Sequence, residues 1–349
     1  MDALPGRMFG ILLTGHGVPE KLAYRTDIPT PAPAPGDVLV RVHAAAVNNT
    51  DINTRTGWYS KGDAAASDAS WSGQALSFPR IQGADVCGII AAVGEEVNAS
   101  RIGERVIIEP CIREADGKLL PSPWYFGSEC DGGFAQFTVV ASRHAHKINS
   151  AMTEVELASF PCSYSTAENM LTRANVRAKD TVLVTGASGG VGSAAVQLAR
   201  ARDAKVIAVT SPSKAAALRS LGASEIVLRD ADYVQVLGVN TVDVVIDLVA
   251  GPPWPSLLDV LRPGGRYAVA GAIGGPMVEL DVRTLYLKDL SFFGCTVLEP
   301  EVFSNLVRHI EQDRIRPLVA STYPLQDIAA AQAAFESKTH IGKIVLSVD

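Results

Sequence analysis

The chain predicts an α/β protein of two domains, one β-rich and one built on a doubly wound parallel sheet, and three observations carry that expectation. Its 349 residues are enough for two domains at roughly 100 to 200 residues each. Residues 9–148 hold short apolar runs between Gly, Pro and Asp turn signals, a β-like text. After Ala151 apolar strands alternate with helical segments, the pattern of a parallel sheet covered on both faces.

In the β-rich part, Val38–His43 and Arg105–Ile108 read as strands. Pro29, Pro31, Pro33 and Pro35 form an extended connector. Two stretches lack periodicity: Gly62–Ala75, a long Ser/Ala/Gly-rich loop, and Pro110–Cys130. In the second part Thr181–Thr185, Lys205–Thr210, Val242–Asp247 and Arg266–Ala270 read as strands. Helical segments fall at Ala194–Ala201, Ser213–Leu221, Ser256–Leu261, Glu301–Gln312 and Leu325–Glu336. A last strand, Lys343–Ser347, is expected to return to the first domain.

Hydrophobic residues make up 47% of the chain and charged ones 19%, which excludes a mainly disordered protein. The balance of 31 Lys and Arg against 37 Asp and Glu, net −6, offers no general attraction to nucleic acid or an anionic membrane. Cys87, Cys111, Cys130, Cys162 and Cys295 share no CxxC spacing, and their odd number favours reduced thiols in the cytoplasm. The apolar stretch Met8–Leu13 is too short for a signal-peptide core, and no run reaches the ~18 residues of a bilayer span.

The strongest motif is Thr185-Gly-Ala-Ser-Gly-Gly-Val-Gly192, at a strand end and opening a helix. Glycines there permit a tight turn, let backbone N–H groups approach a pyrophosphate and allow helix to pack on strand. Ser188, Gly189, Gly190, Val191 and Gly192 are the candidate phosphate cradle. Some twenty residues on, where an NAD enzyme shows a carboxylate for the ribose 2′-hydroxyl, the text is Thr210-Ser-Pro-Ser-Lys214. The hydroxyls of Thr210 and Ser211 with the cations Lys214 and Arg229 suit a 2′-phosphate, hence NADP(H).

An ordered set of segments resembles the medium-chain dehydrogenase/reductase superfamily, in its zinc-free, zeta-crystallin-like quinone oxidoreductase branch. The set is Pro35-Gly-Asp-Val-Leu-Val-Arg-Val42, Ala46-Val-Asn-Asn-Thr-Asp51, Gly57-Trp-Tyr59, Gly83-Ala-Asp-Val-Cys-Gly88, Gly103-Glu-Arg-Val106, Gly132-Gly-Phe-Ala-Gln136, Gly186–Gly192 and Gly342-Lys-Ile-Val345. The resemblance implies a GroES-like substrate domain over 1–151 and 316–349, a Rossmann dinucleotide-binding domain over 152–315, and a homodimer. It also implies the absence of catalytic zinc, since Asn48 stands where zinc relatives carry Cys and Gly83-Ala84-Asp85 replaces Gly-His-Glu. Only Cys162 matches a ligand position, whereas a tetrahedral site needs three. His144 and His146 share a face, without a visible third ligand, and are expected at the surface.

Without a metal, NADPH needs an acceptor that is already electrophilic, a quinone or an α,β-unsaturated carbonyl compound. By resemblance Tyr59 lies at the substrate as proton donor, a role its O–H suits. Asn48 can bond the nicotinamide ribose or the substrate carbonyl. Thr166, Gly271, Ala272, Ile273, Phe293, Gly294 and Cys295 resemble family segments around the nicotinamide, and Lys343 the lysine near the cofactor phosphates. Three alternatives stand beside this expectation. An enoyl thioester reductase would use cations such as Arg55, Lys61, Arg80, Arg113 and Lys118 for the acyl-CoA phosphates. The others are a zinc alcohol dehydrogenase and a non-catalytic NADPH-binding crystallin-like or sensor protein.

Overall fold

A computed structural model describes residues 4–60 and 70–348. The first part of the chain forms β1 (Arg7–Leu13), β2 (Leu22–Pro29), β3 (Asp37–Ala46), α1 (Asn49–Thr56), β4 (Asp85–Val93), β5 (Arg105–Ile108), β6 (Cys111–Ala115), β7 (Lys118–Tyr125), β8 (Phe137–Ala141), β9 (Ala145–Lys147) and α2 (Glu154–Leu157). The middle part forms α3 (Pro161–Arg173), β10 (Thr181–Val184), α4 (Gly190–Arg200), β11 (Lys205–Thr210), α5 (Ala215–Leu221), β12 (Glu225–Leu228), α6 (Tyr233–Leu237), β13 (Val242–Asp247), α7 (Trp254–Val260), β14 (Leu261–Val269), α8 (Val282–Leu287), β15 (Ser291–Gly294) and α9 (Val302–Glu311). The chain closes with β16 (Val319–Pro324), α10 (Ile328–Glu336) and β17 (Lys343–Ser347). It divides into two compact units, residues 1–162 with 317–349, and residues 163–316. The first unit runs past the boundary at 151 because α2 packs on β3, β4, β16 and β17, and because the Cys162 backbone N–H donates to Asp85.

The first unit is organised around a sheet in the order β16-β17-β3-β4-β5-β9, with β8 also paired to β3. Strand β3 lies inside it, so its Val-rich run is buried on both faces. Val40, Val42, Val86, Ile90, Val106, Phe137 and Leu346 meet in one core. As expected, the last strand returns here: β17 pairs antiparallel with β3, Val345 opposite Ala46, while Ala46 lies opposite Asp85 of β4. That double register brings the start of β17, the end of β3 and the start of β4 together at one end of the sheet's strands.

The Pro110–Cys130 stretch, expected to be irregular, contains the antiparallel hairpin β6–β7, with Ala115 opposite Lys118. Its two-residue turn is Asp116-Gly117, both at positive φ (52° and 69°). Asp-Gly is the sequence signal of such a turn. His144 anchors the hairpin: its Nε2 accepts the backbone N–H groups of Arg113 (3.0 Å) and Glu114 (3.3 Å). Its Nδ1 therefore carries the proton and donates to Glu109 (3.2 Å), a carboxylate shared with His146 (3.3 Å). His144, 1% exposed, is thus a buried buckle and not the surface residue expected. Burial pushes the Glu109 carboxyl up, but its bonds to the two imidazoles prevail and hold it at about 2. Of the Gly62–Ala75 loop, residues 62–69 lie outside the described residues.

The second unit is a parallel six-stranded sheet in the order β12-β11-β10-β13-β14-β15. Every residue of β13 is buried, as a central strand covered on both faces requires. Leu183, Val209, Val245, Leu257 and Tyr267 share its core. Strand order reverses between β10 and β13, and the crevice outside the carboxyl ends at such a point is where open α/β sheets bind ligands.

Candidate functional site

In the second unit the expected cofactor residues gather at the strand ends. The turn from β10 to α4 holds Ser188 to Gly192, with Gly189 as N-cap. A Cβ on Gly192 would stand 2.3 Å from the Gly186 carbonyl oxygen, so the turn admits no side chain there. Around Gly189 the space is open, the nearest atom being 3.6 Å away, which leaves room for a phosphate. Thr210 ends β11 and its carbonyl accepts the Arg229 N–H (3.0 Å), so the tail of β12 lies beside it. Thr210 is 4% exposed, and its Oγ1 has no hydrogen-bond partner. Ser211 and Ser213 bond each other (3.2 Å). Lys214 is held below the usual ammonium range, first by partial burial and then by the Arg229 charge. Two cations that repel each other beside an unpaired hydroxyl fit an anion.

Gly271, Ala272 and Ile273 follow β14, while Phe293 and Gly294 end β15 and Cys295 donates its N–H to Val269 (2.9 Å). Thr166 lies on α3, the helix whose Arg173 donates to the Gly294 carbonyl (2.9 Å) at the end of β15. Sequence reasoning missed Asp247, which ends β13 fully buried. Its carboxylate accepts from the hydroxyls of Thr185 (2.6 Å) and Tyr267 (2.5 Å) and from the N–H groups of Val249 (2.9 Å) and Ala250 (3.1 Å). It thereby clamps the ends of β10 and β13 at the switch point.

In the first unit the strand ends of β3, β4 and β17 carry a buried polar cluster. Lys343 Nζ lies 2.7 Å from Asp85 Oδ2 and also donates to Asn48 Oδ1 and the Val47 carbonyl (3.2 Å). The β3–β17 register aims this lysine, which by resemblance is the one near the cofactor phosphates, at Asp85. Asn48 is likewise committed inward. Its Nδ2 donates to Asp85 Oδ2 (2.8 Å) and the Ala46 carbonyl (3.2 Å), so both amide hydrogens are used within the cluster. Asp51, on the first turn of α1, accepts the N–H groups of Asn48 (2.8 Å) and Gly83 (3.3 Å). Burial and the nearby Asp85 charge push its carboxyl up to about 7, against those bonds and Lys343.

Tyr59 follows the Gly57 end of α1, and its hydroxyl donates to Thr50 Oγ1 (3.2 Å). Burial raises its phenol above the ordinary range, so it stays protonated. Tyr125 donates to Cys162 Sγ (3.0 Å) and packs with Ala84 and Trp71. Of the cations weighed for a phosphate-rich substrate, Arg55 is 2% exposed and donates to Gln332 (2.8 Å), the Gly17 carbonyl (2.7 Å) and Glu336 (3.4 Å). Arg80 pairs with Asp131 (2.8 Å), and Lys61 lies outside the described residues.

Comparison with known proteins agrees with this layout. Residues 34–150 match the alcohol dehydrogenase GroES-like domain, and residues 190–312 the zinc-binding dehydrogenase family. Over 97% of both chains, the sequence is 31% identical to a quinone oxidoreductase of Rattus norvegicus. It is 28% identical to an acryloyl-coenzyme A reductase of Metallosphaera sedula, over 97% of this chain and 100% of that one. A solved Sinorhizobium meliloti 1021 protein, provisionally assigned as an alcohol dehydrogenase, is 47% identical and superposes with a TM-score of 0.93, covering 99% of this chain and 98% of that one.

Proposed function

The chain belongs to the medium-chain dehydrogenase/reductase superfamily, in its quinone oxidoreductase branch, and is an oxidoreductase of that fold; from this premise we propose a zinc-independent, NADPH-dependent reductase of quinones or α,β-unsaturated carbonyl compounds. The observation that carries the proposal is the Lys343–Asp85–Asn48 cluster. Ala84 has no donor atom, Asn48 offers an amide, and Asp85 is already neutralised by an ammonium, so the positions of a zinc set do not fit a metal. NADPH preference is supported by Lys214 and Arg229 beside Thr210. When bound, the nicotinamide supplies the hydride. The protein's own part is to orient the acceptor, with Tyr59 donating to its oxygen and the proton drawn through Thr50. Asn48 acts as a positioning residue for Lys343 and Asp85.

The thioester-reductase alternative has the Metallosphaera sedula relative in its favour. Against it, Arg55 and Arg80 are already spent on protein partners. We also propose a homodimer, supported by the edge position of β15 and by the exposed apolar side chains of Met277, Tyr286 and Leu287 in that unit. Cytoplasmic residence is proposed on five cysteines that form no disulfide. Among the described residues no helix is long and apolar enough to cross a membrane.

The test is NADPH oxidation by metal-stripped protein against an ortho-quinone, a simple enone and crotonyl-CoA, with NADH as control. Turnover of quinone or enone with NADPH preferred is the expected result. Preference for crotonyl-CoA moves the assignment to the thioester class, and silence on all three with NADPH bound moves it to a binding role.

A further inference from the structure

The two stretches without periodicity, Gly62–Ala75 and Pro110–Cys130, are stitched together. One carboxylate, Glu129, accepts the backbone N–H groups of both Ser72 (2.7 Å) and Tyr125 (2.8 Å), and Ser128 Oγ accepts that of Trp71 (3.2 Å). The indole of Trp71 lies on the ring of Tyr125, centroids 5.0 Å apart. This joint holds the Tyr125 phenol over Ala84, the position whose side chain is too small to be a ligand, with its hydroxyl on Cys162. Tyr125 and Cys162 are 7% and 8% exposed, whereas Ala84 and Asp85 are at 0%. The phenol is therefore buried but not fully enclosed, and it adjoins the polar cluster through Cys162, whose backbone N–H donates to Asp85.

We propose that Tyr125 is a second hydrogen-bond donor for the oxygen of the substrate, with Cys162 as its resting acceptor. Sulfur is a weak acceptor, so exchanging O–H···S for a bond to an oxygen gaining negative charge is favourable. Burial, with Cys162, Asp85 and Tyr59 nearby, holds the phenol well above its ordinary range, which keeps the donor protonated. No covalent bond changes: the hydroxyl rotates from sulfur to oxygen and keeps its proton. Glu129 is the positioning residue, because it fixes the backbone on which the phenol is carried. The inference depends on the reductase assignment only for the identity of that oxygen.

The experiment uses full-length protein with NADP+ and 4-nitrophenol, a planar probe whose phenolate oxygen stands in for an enolate or semi-reduced quinone oxygen. Its phenolate absorbance gives both the dissociation constant and the apparent pKa of the bound probe. In wild type the probe is held as phenolate with its pKa lowered; Tyr125→Phe weakens phenolate binding about tenfold and reverses the pKa shift. Cys162→Ala, which removes the competing acceptor and keeps the phenol, tightens binding and serves as the arm independent of how Tyr125→Phe folds. Equal phenolate affinity in wild type and Tyr125→Phe, weaker binding in Cys162→Ala, or no phenolate bound by wild type each overturn the proposal. Tyr125-dependent phenolate binding without NADPH oxidation leaves it standing and overturns the reductase assignment instead.

Discussion

Lys343 and Asp85 form a 2.7 Å ion pair, at 2% and 0% side-chain exposure, across 258 positions of sequence. Neither charge has water to turn to, so each is tolerated only because the other is present. Replacing Lys343 with Met leaves Asp85 without its counter-charge and should cost about 3 to 5 kcal/mol of unfolding free energy. The double variant Lys343→Met, Asp85→Asn should recover much of that loss. Urea unfolding of the three proteins checks this, and a double variant as unstable as the single one would sink it.

Asp51 supplies a pH signature. Its folded-state pKa, about 7, lies above the ordinary carboxyl value of 3.8. The folded state thus holds a proton that the unfolded chain has already released, and folding takes one up. Between about pH 4 and 7 stability should therefore fall as pH rises, by up to ~1.4 kcal/mol per unit, and level off above 7. Asp51→Asn should flatten that slope. Unfolding free energies measured at pH 5, 6, 7 and 8 in both proteins provide the comparison.

The cluster also shows where sequence reasoning ends. The glycine turn was legible because its chemistry is local: strand, turn, helix and second strand follow one another in order. Asn48, Asp85 and Lys343 were visible as motif positions, but their mutual bonding depends on β17 pairing with β3 and β3 with β4, a register no local pattern reveals. Asp247 was hidden for the same reason, since its partners Thr185 and Tyr267 come from two other strands. The β6–β7 hairpin was readable in principle from Asp116-Gly117, but the two prolines within β7 obscured its strand.

Tyr59 predicts a kinetic effect that depends on the acceptor. If Tyr59 delivers the proton, Tyr59→Phe should lower kcat with an enone by roughly 10² while NADPH affinity is unchanged. With a quinone the loss should be smaller, because water can protonate the product. Steady-state kinetics on both acceptors tests this, and an enone rate equal to wild type would falsify the proton-donor role.

Gly192 faces the Gly186 carbonyl where a Cβ would stand at 2.3 Å. The contact is with backbone, so nothing flexible can move aside. Gly192→Ala should displace the turn and weaken binding of NADPH and NADH alike, by tenfold or more, while the first unit keeps its fold. Fluorescence titration with both cofactors reads the loss; normal affinity would mean that this turn does not carry the pyrophosphate.

Lys214 answers a different question from Gly192, because it bears on the choice between cofactors and not on binding as such. Its ammonium is partly buried and repelled by Arg229, whose own carboxylate neighbour, Asp230 at 3.5 Å, is exposed, so an arriving anion meets two cations. A 2′-phosphate would relieve the repulsion, whereas a 2′-hydroxyl would leave it. Lys214→Ala should therefore lower kcat/KM for NADPH about tenfold, the scale of one charge-assisted hydrogen bond, with NADH unaffected or slightly improved. Raising salt should erode the wild-type preference in the same direction, because the pair is open enough to be screened. An equal loss with both cofactors would assign Lys214 to the structure of the β11–α5 turn and remove the NADPH argument.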